Sequence, residues 1–210
     1  MSKAQRMGKR KPRAFENRSE KLGYYIIYTD TKKTERNYIN GYYKSLPIEF
    51  QEKIEIQIKK DETINLIEAC LQYQKRNPQY SSAWIIFDKD KNENFNQIIE
   101  NANQKGIQVA WSNPCIEIWF SGYFGKMHCI DSVTCCSNFS ELYKNKTGLN
   151  YSKNDDSIYT ILNKFGDEKQ AIKYFKKKHE NAIKCGIKPD DQVGGSCIFL
   201  LLEEINKKMT

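Results

Sequence analysis

Between residues 22 and 111, apolar positions recur at two alternating spacings, which predict strands and helices in turn. Leu22 to Tyr28 (LGYYIIY) is an aromatic and β-branched run that reads as a buried strand. Thr34 to Leu46 then repeats Tyr38, Ile39, Tyr42, Tyr43 and Leu46 at helical spacing. The unit recurs. Ile54 to Ile58 reads as a strand, Asp61 as the cap of a helix striped by Ile64, Ile67 and Leu71, and Asn77-Pro78 as its end. Ala83 to Phe87 is the third strand, and Phe95, Ile98, Ile99 and Ala102 stripe the helix after it. Gly106 then leads into a fourth strand, Ile107 to Trp111. Strands alternating with helices at this spacing predict a parallel α/β sheet of about four strands with right-handed crossovers.

After Ser112 the pattern turns helical. Cys115 to Tyr123, Ser137 to Lys146, Ser157 to Phe165, Glu168 to Lys184 and Ser196 to Lys207 read as helices separated by Gly or Pro. They are too short and Lys-rich for a core of their own. The expected organisation is therefore a basic, flexible arm over 1–21, an α/β catalytic domain over 22–124, and a helical portion over 125–210 packed on it.

Ligands of open parallel sheets bind beyond the C-terminal strand ends, where strand order reverses. Several polar residues are predicted to stand there: Asp30 after the first strand, Asp88 and Asp90 after the third, Ser112-Asn113 after the fourth, and Glu117 just beyond Pro114. If the first and third strands are neighbours, distant carboxylates share one crevice. Carboxylates so placed repel unless a cation neutralises them, and Mg²⁺ or Mn²⁺ favours such a set with positions left for water and phosphate. Alternatively, D-K-D is a solvated turn. Glu35 reads either as a ligand or as an acidic residue favouring a helix start after Thr34. Glu117, inside the apolar CIEIWF, needs a cation or a Lys or Arg partner. Trp119 and Phe120 read as core.

Net charge is +8, from 34 basic and 26 acidic residues, and six of the first 13 residues are Lys or Arg. That balance favours a polyanionic partner such as DNA or RNA, although a Lys-rich composition alone also gives it. Arg10, Lys11 and Arg13 in the arm, and Lys32 and Lys33 beside Asp30, are candidate phosphate contacts, whereas Lys89 is turned away by strand alternation. Seven cysteines without a regular framework, no signal-peptide pattern and no apolar run of ~18 residues predict a reducing cytoplasm and no membrane partner. His128, Cys129, Cys135 and Cys136 lack zinc-loop spacing. His179, within KYFKKKHE, reads as a solvated surface residue. Lys173, Lys176, Lys177 and Lys178 form either a solvated or a phosphate-tracking face.

Three segments, YIIYTDTKKTERNYINGYY, IIFDKD and GIQVAWSNPCIEIWF, resemble the RloB family in this order, with weaker echoes at Tyr151-Ser152-Lys153 and GGSCIFLLLEEI. The resemblance implies a Toprim-like, Rossmann-like domain with a divalent-metal phosphotransfer site, a nuclease function in phage defence or abortive infection, and a possible regulatory partner protein. It implies that Asp30 is a general acid or base, that Asp88 and Asp90 hold the metal with Asp30, and that Glu35 and Glu117 are acidic site positions. Lys153 joins the nucleic-acid contacts. The family pattern T-E-G-E-K-T-E is T-D-T-K-K-T-E here, so Asp30 and Thr31 replace a glutamate and a glycine, and Tyr123 stands at a common histidine. A DNA or tRNA nuclease is therefore expected. The alternatives are a catalytically weakened binding module and a phosphohydrolase of another type.

Overall fold

The computed structural model describes residues 24–29, 33–58, 63–125 and 131–209. The predicted N-terminal arm, Asp30, Lys32, Asp61, His128 and Cys129 lie outside them.

A Rossmann-like α/β sheet organises these residues. Strands β1 (Tyr25–Thr29), β2 (Ile54–Ile58), β3 (Ser82–Asp88) and β4 (Gln108–Asn113) are parallel, and β5 (Gly195–Ser196) is antiparallel to β4. The order is β2-β1-β3-β4-β5. Strands β1 and β3 are therefore neighbours, with Thr29 opposite Ile86, and the strand order reverses between them. β1 is buried along its whole length, as a parallel strand covered on both faces must be.

Helices α1 (Thr34–Ser45), α2 (Ile48–Gln51), α3 (Thr63–Arg76), α4 (Phe95–Gln104) and α5 (Glu117–Ser121) follow in chain order. After them come α6 (Ser132–Thr147), α7 (Ile158–Phe165), α8 (Glu168–Lys184) and α9 (Ile198–Met209). On one sheet face Ile26, Tyr28, Ile85 and Phe87 meet α3 and α4, which lay down Leu66, Ile67, Cys70, Phe95, Ile98 and Ile99. On the other face Tyr25, Ile27, Trp84 and Ile86 share one core with residues of α1 and of α5 to α9. The C-terminal helices thus complete the sheet's second layer.

Local chemistry explains the helix ends. The Asp131 carboxylate accepts from the Thr134 N–H at the start of α6, and Gly148 ends it at φ +75°. Asp167 likewise caps α8 through the Lys169 and Gln170 N–H groups. Gly122 lets α5 approach α8: a Cβ there would lie 2.6 Å from the Phe175 ring.

Several expected boundaries shift. The sheet has a fifth strand because the two-residue β5 is held by Ser112 and Asn113 and carries no apolar run of its own. The helix expected from Ser137 starts at Ser132, where Asp131 caps it. The helix expected over Cys115 to Tyr123 contracts to Glu117–Ser121, and α2 was not predicted. His179 is not a solvated surface residue. It packs between Trp111 and Phe199, with Nδ1 3.5 Å from Cys197 Sγ, and burial lowers its pKa.

Candidate active site

At the C-terminal edge of the sheet, Asp88 is the last residue of β3 and pairs in register with Ser112 of β4. The apolar run before it, buried on both faces, fixes its position. Its Oδ2 accepts from the Ile116 N–H at 3.1 Å, and its backbone carbonyl accepts from Asn92 Nδ2 at 2.6 Å. Two further carboxylates come from other segments. Glu35 stands in the first turn of α1, directly beyond the β1 loop, and Glu117 opens α5. Asp88, Glu35 and Glu117 are 6%, 3% and 1% exposed.

Burial pushes the Asp88 carboxyl well above the usual range, and the nearby negative charges of Glu35 and Glu117 push it further. A hydrogen bond with Glu35 adds to the effect, as does the charge of Asp90. Two carboxyl groups hydrogen-bond only through a proton, so a proton or a cation must sit between this pair. Asp90 itself is exposed, in the single turn over Lys89–Lys91, with its N–H on the Pro114 carbonyl at 3.1 Å.

Glu117 has partners of its own. Tyr151 donates its hydroxyl at 3.0 Å and Lys153 Nζ lies 3.3 Å away, both to Oε1. Of the two roles open to a carboxylate in this apolar helix, the ion pair is therefore realised. The Lys153 carbonyl accepts from Thr34 Oγ1 at 3.4 Å, which links this loop to the start of α1 beside Glu35. Lys153, expected as a nucleic-acid contact, is thus engaged with Glu117, although its side chain remains 54% exposed.

Beside Glu117 lies a group of thiols. Cys115 Sγ is 3.9 Å from Cys136 Sγ and also hydrogen-bonds with Cys135. Those hydrogen bonds, with burial, push the Cys115 thiol far up, while the Cys136 thiol is lowered by its bond from Cys115. The ligand atoms of Cys115, Glu117 and Cys136 lie within 4.8 Å of one another, close enough for one metal ion. Two sulfurs and one carboxylate suit zinc better than magnesium. The Lys153 ammonium, however, already contacts Glu117 and Cys136 and supplies the positive charge that this group needs.

The remaining expected site residues divide. Lys33 is exposed next to α1, open to an approaching phosphate. Lys89 pairs with Asp190 at 3.1 Å. Asn113 donates to the Pro189 and Asp190 carbonyls, and Ser112 contacts Ser196 Oγ at 3.2 Å, so both anchor the C-terminal segment. Asp30, Lys32, Arg10, Lys11 and Arg13 lie outside the described residues. Trp119 and Phe120 are core. In the Lys-rich helix, Lys176 pairs with Glu203 and Lys178 donates to the Val193 and Gly194 carbonyls, leaving Lys173 and Lys177 exposed.

Sequence reasoning missed the second polar centre. Tyr123 and Tyr38 share a hydrogen bond of 2.8 Å, and Tyr123 donates to Glu168 Oε2 at 3.0 Å. Burial keeps both hydroxyls protonated. Tyr123 therefore belongs to a buried network among α1, α7 and α8. The helical stripes carried apolar signal there, but nothing in their spacing reported the hydroxyl partners.

The RloB-like protein family model matches residues 25–205. The chain belongs to the RloB-like protein family. No curated protein and no solved structure matches it in the corresponding comparisons. The family match spans the whole sheet and continues through α6 to α8 into α9, so the C-terminal helices that cover one face of this RloB-like protein are part of the shared unit. Among the described residues no helix is long and apolar enough to cross a membrane.

Proposed function

We propose that this RloB-like protein is a divalent-metal-dependent nuclease acting on DNA or RNA, tRNA included, in defence against phage. The observation that carries the reading is the meeting of Asp88 with Glu35 and Glu117 at the strand-order reversal. A buried carboxyl flanked by two others is a poor arrangement without a cation and a suitable one with it. Asp88, Asp90 and Glu35 offer an all-oxygen donor set that fits Mg²⁺ or Mn²⁺, and Asp30, which follows β1 in the sequence, is a further candidate carboxylate. Bound there, the ion would polarise a phosphoryl oxygen and stabilise charge on the leaving oxygen.

The chain's own residues do the rest. The Ile116 N–H orients Asp88 without depending on a rotamer. Glu117, held by Tyr151 and Lys153, keeps negative potential near Asp88 without being a ligand itself. Lys33 attracts the phosphate backbone, and Asp30 is the group suited to activate water. Asp30 is one methylene shorter than the family glutamate, and that exchange favours a second reading, a weakened module that binds nucleic acid or a partner protein in a defence locus.

Purified protein incubated with plasmid, single-stranded DNA and bulk tRNA, with Mg²⁺, Mn²⁺ or EDTA, tests the proposal. Metal-dependent cutting lost in Asp88→Ala and Asp90→Ala supports the nuclease. Salt-sensitive binding without cutting selects the module. Turnover of small phosphate esters alone selects a phosphohydrolase, an unfavoured outcome because D-x-D follows the third strand here and not the first.

A further inference from the structure

Cys115 and Cys136 face each other from different segments, Cys115 in the turn between β4 and α5 and Cys136 on α6. Their sulfurs are at van der Waals contact, 3.9 Å, and both are free thiols. Reaching a disulfide length of about 2.05 Å requires a movement of roughly 2 Å, within reach of side-chain rotation and small shifts of the turn. The two thiols differ in access: Cys115 is 2% exposed, whereas Cys136 is half-buried. The Lys153 ammonium also contacts Cys136, an electropositive neighbour of the kind found beside reactive cysteines. One attackable sulfur backed by a buried partner is the arrangement of a peroxidatic and a resolving cysteine.

We propose that Cys136 and Cys115 are a modification site that reacts with hydroperoxides and closes to an intramolecular disulfide. In the first step the Cys136 sulfur attacks one peroxide oxygen. The S–O bond forms, the O–O bond breaks, and the departing alkoxide or hydroxide takes a proton to leave as alcohol or water. Cys136 is then a sulfenic acid. In the second step Cys115 sulfur attacks Cys136 sulfur, the S–S bond forms, the S–O bond breaks, and hydroxide leaves as water with the Cys115 proton. Two thiols and one hydroperoxide thus give one disulfide, one alcohol and one water. The closed bridge would tie α6 to the turn whose Ile116 N–H holds Asp88, so oxidation reaches the candidate active site through the main chain. A dithiol reductant reverses it.

Among the described residues, Cys135 and Cys185 are the nearest and the most accessible competitors. Cys135 is fully buried beside Cys115, whereas Cys185 is exposed at the end of α8. The site itself requires no nuclease activity, so its test is independent of the reading above.

The experiment treats the full-length, reduced protein with a small excess of hydrogen peroxide, blocks remaining thiols with an alkylating agent, and maps the peptides by mass spectrometry. The expected product is a single internal Cys115–Cys136 bridge, lost on addition of dithiothreitol. Cys115→Ser should stop at a Cys136 sulfenic acid that a cyclic 1,3-dione traps, and Cys136→Ser should give neither product. Full alkylation of both cysteines after peroxide would overturn the proposal. A bridge through any other cysteine instead would do so too. So would a zinc ion found at one per chain in the purified protein and lost in Cys136→Ser, because it would make these thiols metal ligands.

Discussion

The Ile116 N–H donates to Asp88 Oδ2 across 3.1 Å and ties the end of β3 to the turn that opens α5. Asparagine keeps an acceptor at that place, and alanine does not. Asp88→Ala therefore leaves a buried N–H without a partner, at a cost of about 1–3 kcal/mol. Asp88→Asn keeps the bond and removes the ionisable group. In EDTA at neutral pH, Asp88→Asn is expected to melt at or above the wild-type temperature and Asp88→Ala below it. Equal losses in both variants would show that the main-chain bond does not position this residue.

Glu117 depends on two partners from one loop. Tyr151→Phe removes a hydrogen bond to a buried charged group and is expected to cost about 1.5–3 kcal/mol. Lys153→Met is expected to cost less, roughly 1–2 kcal/mol, because its side chain is more than half exposed. Urea midpoints of the single and double variants measure both costs. Because the partners share one oxygen, the effects should not add.

Glu168 supplies a pH signature. Burial raises its pKa, against hydrogen bonds from Tyr123 and Tyr159 that lower it. A carboxyl that holds its proton more firmly in the folded protein stabilises less as pH rises, from the unfolded value through the folded one. Glu168→Gln removes that dependence and keeps an acceptor for Tyr123. The melting temperature of Glu168→Gln relative to wild type should increase across this window and then level off. A difference that stays flat from pH 4 to 8 would contradict the burial effect.

If nucleic acid approaches past the exposed Lys33 that precedes α1, Lys33→Ala should weaken binding similarly for all sequences. The slope of log affinity against log salt should fall in magnitude by about 1. An unchanged slope in filter binding or anisotropy would remove Lys33 from the interface.

Much of this layout is written in local spacing. The YIIY and AWIIF runs are apolar enough to be buried on both faces, which forces a parallel sheet and delivers Asp88 to its edge. Glu117 stood out because a carboxylate in CIEIWF must have a partner. Which partner it has depends on a loop that returns more than 30 residues later, and no periodicity encodes Tyr151 or Lys153. β5 escaped for the same reason: Ser112 and Asn113 specify it from a distant strand. His179 is different, since Ala171, Phe175, His179 and Ala182 already mark one helical face, and the surrounding lysines obscured it.

Manganese binding to the resting protein tests the central claim most directly. Free Mn²⁺ followed by electron paramagnetic resonance should show saturable uptake by the wild type, weakened roughly 10- to 100-fold or more in the folded Asp88→Asn variant. Equal uptake by the two proteins, or none by the wild type, would contradict a metal site at Asp88.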